Sequence, residues 1–443
     1  ASDVYKRQNL NKQTRRISGI TLIALVVTIV VLLILAGITI SLVFSENGII
    51  AKAKEAAEKT NQAAINEQEQ MNEVGTTINN MLNGTGGGST PEDPTKNWDS
   101  NKVDKVTSED NIVVPVPKGY TASSVSTENK VSEGFVIYEN TNGEDRKEEV
   151  NDSNKDTART TRNQFVWVPV ANPSEMYGTD KNGKKWGKLY NFSASGITAK
   201  NWTEQDGVIS ITATSGSGSY REPDVVTGSD GTKYDADNSN LQQAGLESSA
   251  TANTFKTQLE TEFNNMITSV EKYGGFYIGR YETGNLSEEK VSVIKNNSDI
   301  GNQTWYTIYN KVKGIAVNSN VTSSMIWGSQ WDATLRWMYN SGNAEKKKYT
   351  YDSIGKGNYY GTNGNKPIAT GTIETYAVNN IYDMAGNVYD RTIEADITNS
   401  RVFRGGYCYF GYNGEDYPAS YRISYDYPSS SYDYTGIRVV LYM

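Results

Sequence analysis

The 443-residue chain has no histidine and one cysteine, Cys408. That removes the commonest general base and the commonest metal ligand, and it excludes an intrachain disulfide framework. No thiol pair exists for a soft metal. What remains is carboxylate, guanidinium, amide and phenol chemistry. Asp383 and Asn387 lie four apart in Asn380-Ile381-Tyr382-Asp383-Met384-Ala385-Gly386-Asn387-Val388. Their oxygens could ligate a hard cation. The same string is turn chemistry, with Gly and Asn tolerating positive φ and side chains bonding the backbone, and this is the preferred reading. Arg404, Arg422 and Arg438 could gather an anion; as donors to backbone carbonyls and buried acids they are structural, and that reading is again preferred. Carboxylate chemistry stays possible in principle, and these residues alone assign no catalytic residue, metal site or cofactor.

Phenols dominate the C-terminus. Between Tyr407 and Tyr434 there are nine Tyr in 28 positions, against 21 in the other 415. The stretch also holds five Ser, three Asp and no Lys, and its only large aliphatic residue is Ile423. Tyr gives rigid amphipathic contact area at low entropic cost, and Ser, Gly, Asn and Asp give adaptable hydrogen bonds. This is a binding-surface composition; a Tyr-rich edge strand packed on its own domain has the same one. The flanks 401–406 and 436–442 read as strands that would hold the stretch.

The net charge is −8, so nothing favours nucleic acid as a partner. Residues 1–19 carry five basic side chains and one acid, followed by an uncharged apolar run over 20–44. Twenty-five helical residues would cover roughly 37 Å, enough to span a bilayer core. The basic flank predicts a cytoplasmic N-terminus and an exported C-terminal part, a single-pass cell-membrane protein. The run is long for the apolar part of a signal peptide. Ser18-Gly19-Ile20-Thr21-Leu22-Ile23 resembles the type IV prepilin signal, which implies a leader of 1–19, cleavage between Gly19 and Ile20 by a prepilin peptidase, and pilin-like filament subunits as partners. The family's Glu at the fifth mature position is Ala24 here, which leaves the filament geometry open; a plain membrane anchor is the alternative. Ala, Glu, Lys and Gln with apolar residues mostly three, four or seven apart extend the predicted transmembrane and stalk helix over 20–83. Residues 84–102 read as a flexible linker.

From 103 to 443 the pattern is short strands and loops. Gln164-Phe165-Val166-Trp167-Val168 reads as a strand, and Phe255, Leu259, Phe263, Met266, Ile267 and Val270 predict an amphipathic helix. Trp331, Leu335 and Met338 predict a second one. Residues 139–163 read as a charged, unpatterned and mobile insertion, and 178–250 as loops and hairpins.

Gly274-Gly275-Phe276-Tyr277-Ile278-Gly279-Arg280-Tyr281-Glu282, the Asp383-Met384-Ala385-Gly386-Asn387-Val388 string and Arg404-Gly405-Gly406 occur in an order that resembles the sulfatase-modifying-factor (formylglycine-generating enzyme) family. The resemblance spans about 110–443. It implies an α+β chain: a long N-terminal transmembrane and stalk helix followed by a C-type-lectin-like ectodomain. The enzymes of that family hold copper with two cysteines, which align with Phe410 and Glu415 here. The related iron enzymes need histidine. The resemblance therefore implies binding, not catalysis.

The ending is more similar to a further branch, the variable proteins of diversity-generating retroelements. There a reverse transcriptase rewrites adenines, so that Asn codons become Tyr, Ser, Asp, Gly, Cys, Phe and others. Residues of that palette run between apparently fixed ones. The resemblance implies that Tyr407, Cys408, Tyr409, Phe410, Tyr412, Asn413, Tyr417, Tyr421, Ser424, Tyr425, Asp426, Tyr427, Ser431, Tyr432, Asp433 and Tyr434 form a variable, ligand-binding face over 407–434. Glu415 does not fit the palette. The expected function is a surface-displayed adhesin or receptor for a protein or glycan, possessing a pilin-like anchor. A minor structural pilin with a fixed C-terminal contact is the alternative, and a sulfatase-modifying-type oxidase a remote one.

Overall fold

The computed structural model describes residues 27, 29–31, 93–199, 209–213, 216–226, 234–316, 318–396, 400–409, 413–424 and 427–443. The chain divides into two compact units, Ala1–Asp93 and Pro94–Met443. In the first, Val27 and residues 29–31 are helical and exposed. The rest of the expected transmembrane run and stalk, and Gly19 and Ile20, lie outside the described residues. Among the described residues no helix is long and apolar enough to cross a membrane.

The second unit mixes helix and sheet. Its central antiparallel sheet runs Thr322–Met325, Val439–Tyr442, Gly275–Gly279, Gln164–Pro169, Val136–Glu139, Tyr120–Ala122. The C-terminal strand is thus internal, paired on both edges. Helix Ala252–Tyr273 packs on the sheet through Phe255, Leu259, Phe263, Met266, Ile267 and Val270, all fully buried. Each such burial is worth about 2 kcal/mol before entropy is counted. A Thr251/Thr254 capping box starts the helix, and Gly274 at φ 79° ends it and turns the chain into the next strand. Helix Gly328–Tyr339 buries Trp331, Leu335 and Met338, as their spacing predicted.

A second sheet runs Ile209–Ala213, Gly216–Arg221, Tyr389–Asp396, Ser400–Arg404, Arg422–Ile423, and Thr435–Ile437 pairs in parallel with Tyr389–Asp396. This sheet positions the Tyr-rich stretch. Strand Ser400–Arg404 leads into it, Arg422–Ile423 returns from its middle to pair with Phe403 and Arg404, and Thr435–Ile437 leads out.

Two expectations need correction. Residues 139–163 are not an unpatterned insertion: they contain helix Lys155–Thr161. Arg159 from it bonds Glu128 at 2.5 Å, and Arg280 bonds the same carboxylate at 2.8 Å. Burial opposes the charge on Glu128, but the two guanidiniums hold its carboxyl down at about 2. The ordering partner lies far away in sequence, so local patterning could not reveal it. In addition, Trp98, inside the span read as linker, packs on Tyr273 with ring centroids 6.2 Å apart.

Candidate binding face

The described parts of 407–434 are tied at several main-chain atoms to groups outside the stretch. Cys408 N donates to Asn387 O, Ser353 N to Gly414 O, and Ala419 N to Ser353 Oγ. Tyr359 Oη donates to Tyr417 O at 2.6 Å and Trp331 Nε1 to Ala419 O at 2.9 Å. Further on, Trp305 N donates to Pro428 O and Asn302 N to Tyr432 O. Bonds of this kind do not depend on which side chain the held residue carries.

Under the stretch lies a buried charge network. Arg404 Nη2 bonds Asp332 Oδ1 at 2.5 Å, and Arg422 Nη2 bonds Asp332 Oδ2 at 2.7 Å. Arg422 Nε also meets Glu394 Oε1 at 3.0 Å. Burial would raise the Asp332 carboxyl, yet the two guanidiniums hold it below its ordinary value. Glu222 takes the first two amides of helix Gly328–Tyr339, Gly328 N at 2.7 Å and Ser329 N at 2.8 Å. Burial, and then the charge of Glu394, still push it up to about 8. Arg438 donates to Gly279 O and Tyr382 O and reaches Asp390. All three arginines are therefore structural donors. Asp332, Glu394 and Glu222 were missed in the sequence, where isolated acids carry no signal of burial.

The 383–387 string is a turn. Asp383, Gly386 and Asn387 have φ of 54°, 76° and 64°. Asp383 accepts from Thr370 Oγ1 and Gly371 N. Asn387 donates to Glu282 and Ile368 O and accepts from Ile368 N and Asn358 Nδ2, so both its side-chain polar atoms are engaged. Among the described residues no group of three or more acidic or thiol side chains is placed to hold a metal ion.

Most of the described palette residues come together. Tyr407 stacks on Tyr389 with centroids 4.2 Å apart, and Tyr417 meets Tyr421 at 4.1 Å. Tyr434 lies 5.5 Å from Tyr407, 5.9 Å from Tyr409 and 4.9 Å from Tyr432. Tyr407, Tyr409, Tyr417, Tyr432 and Tyr434 are half-buried, as is Ser424; Asn413, Tyr427, Ser431 and Asp433 are exposed. Tyr427 is set apart, stacked on Tyr234 outside the stretch. Ser424 bonds Asp396 at 2.6 Å. Phe410, Tyr412, Tyr425 and Asp426 lie outside the described residues.

Two expected face residues are not on the surface. Cys408 is fully buried, and burial pushes its thiol up to about 12. Its amide donates to Asn387 O. Tyr421 is also buried, its ring stacked on Tyr389 and tilted at 51° against Tyr417. Two exposed residues of an adjoining loop were not singled out in the sequence. Ile354 and Tyr360, each 52% exposed, belong to the loop that Ser353 and Tyr359 tie to the stretch. The arrangement offers aromatic faces, hydroxyls and carboxylates, and its one thiol is withdrawn.

No protein-family model matches the chain, and no curated protein does. Among solved structures, that of PvdO from Pseudomonas aeruginosa is 17% identical over 39% of this chain and 82% of its own, with a TM-score of 0.26. Treponema denticola variable protein 1 is 12% identical over 63% of this chain and 96% of its own, with a TM-score of 0.28. Likenesses of that size carry no weight for fold or function, which rest on the residues themselves.

Proposed function

We propose that residues 94–443 are a C-type-lectin-like binding head, that the face built from 407–434 recognises a macromolecular surface, and that a retroelement diversifies it. The observation that carries this reading is the main-chain suspension of the stretch. Its backbone is tied down by Ser353, Tyr359, Asn302, Trp305, Trp331 and Asn387, while Asn413, Tyr427, Ser431 and Asp433 are exposed. A rigid frame with replaceable side chains is what a diversified binder requires. Tyr-rich contact would supply the anchors and exclude water. We further propose that residues 20–44 anchor the head in the cell membrane in pilin-like fashion, with cleavage between Gly19 and Ile20. The head acts as a receptor or adhesin and not as an enzyme.

The test is to sequence the locus in many cells of one strain. The reading expects a near-copy of the coding region for 407–434 beside a reverse-transcriptase gene, with differences confined to template adenines. An invariant segment with no such copy would overturn the diversification.

A further inference from the structure

Charge on the binding face is one-sided. Residues 389–443 contain five arginines, Arg391, Arg401, Arg404, Arg422 and Arg438, and no lysine. All five are buried. Arg404, Arg422 and Arg438 are committed to the network described above, and Arg401 bonds Asp235 at 2.6 Å. The acids Glu415, Asp416 and Asp433 are instead exposed. The adjoining loop adds Lys356, half-buried, and Lys366, exposed, so the three exposed carboxylates still outnumber its two ammonium groups.

Asp433 stands among aromatic rings. Tyr409 Oη bonds Asp433 Oδ2 at 3.2 Å. The rings of Tyr409 and Tyr434 meet at 70° and those of Tyr407 and Tyr434 at 53°, so they form tilted walls and not one flat platform. Ring faces carry negative quadrupole potential, and a carboxylate beside them adds a full charge. Such a surface favours an ammonium or guanidinium group, and like charges facing it would be repelled.

We propose that the partner of this face is a protein surface presenting lysine or arginine side chains, one of them seated against Tyr409, Tyr434 and Asp433. The proposal rests on the reading of 407–434 as a binding face and adds the chemistry of the ligand. Ile354 and Tyr360 would extend the apolar margin of the same contact.

The test uses the full chain in detergent and calorimetric titration with octalysine, octaglutamate and dextran at low and moderate salt. An acidic protein attracts octalysine everywhere, so two charge-matched triple variants are compared. One removes the acids of the face (E415Q, D416N, D433N); the other removes three exposed acids elsewhere (E149Q, D152N, D156N). The face triple is expected to weaken octalysine binding at least fivefold and the remote triple less than twofold, with a steeper salt dependence in the parent than in the face triple. The pair Tyr409→Ser and Tyr432→Ser is expected to weaken it as well. Equal losses from the two triples, or tighter binding of octaglutamate or dextran than of octalysine, would overturn the proposal. Loss with the tyrosine pair but not with the acids would overturn the cationic partner and leave the face a binding surface. No loss with either would count against both.

Discussion

Asp332 accepts from Arg404 and Arg422 at once, with its two oxygens 2.5 and 2.7 Å from the guanidinium nitrogens, although Arg422 is 90 residues away in sequence. Arg422 lies between Tyr421 and Ser424, inside the 407–434 stretch whose exposed side chains would form the face. The pair is therefore where the face is fastened to the body. Removing one partner strands buried charge, which typically costs 3–5 kcal/mol. Asp332→Ala and Arg422→Leu are each expected to lose about that much in denaturant unfolding, whereas Ser431→Asp should stay within about 0.5 kcal/mol.

Stability should fall as pH rises from 5 to 8. Glu222 has an ordinary value of 4.5 and is pushed to about 8 in the folded state by burial and by Glu394. Between those values the unfolded chain has lost the proton and the folded chain keeps it, so raising the pH favours unfolding. One such group contributes a slope of about 1.4 kcal/mol per pH unit. Asp390, raised to about 6 by burial, acts in the same direction up to that pH. Glu222→Gln should flatten the dependence between pH 6 and 8, read from urea midpoints. A parent midpoint that rises over this range would contradict the assignment.

Cys408 is expected to resist thiol reagents at pH 8 in the native protein and to react once denatured, because it is fully buried and its thiol is raised to about 12. Cys408→Tyr, a change within the retroelement palette, should overpack its site and cost about 1–3 kcal/mol. Neutrality would show that residue 408 belongs to the free surface after all.

Gly405 holds φ 84°, and a Cβ there would stand 2.6 Å from Met384 O. Gly405→Ala is therefore expected to cost more than 1 kcal/mol, from the left-handed backbone and the backbone clash together. Gly183, at φ 82° with open space around it, is the control and should lose less under the same substitution. Thermal unfolding of the two variants separates strain from crowding.

Parts of this arrangement were legible in the sequence because they are local. The helices Ala252–Tyr273 and Gly328–Tyr339 announce themselves by spacing, and the 383–387 turn by its Gly and Asn. The Tyr cluster is visible as composition. What composition could not show is which way each ring points: Tyr409 and Tyr421 are the same residue type, yet one is half-exposed and the other buried against Tyr389. Nor could it show that Glu128, Glu222, Asp332 and Glu394 are buried, since each is paired or cradled by residues far along the chain. Long-range charge pairing leaves no periodic trace.

Side chains on this face are expected to change without cost to the fold. The direct measurement is a display library that randomises Tyr409, Asn413, Tyr427, Ser431, Tyr432 and Asp433 among Tyr, Ser, Asn and Asp, sorted by resistance to protease. Most members are expected to resist as well as the parent, while a matched library at Cys408 and Tyr421 is mostly degraded. If the two libraries fall equally often, the stretch is packing and not a replaceable face.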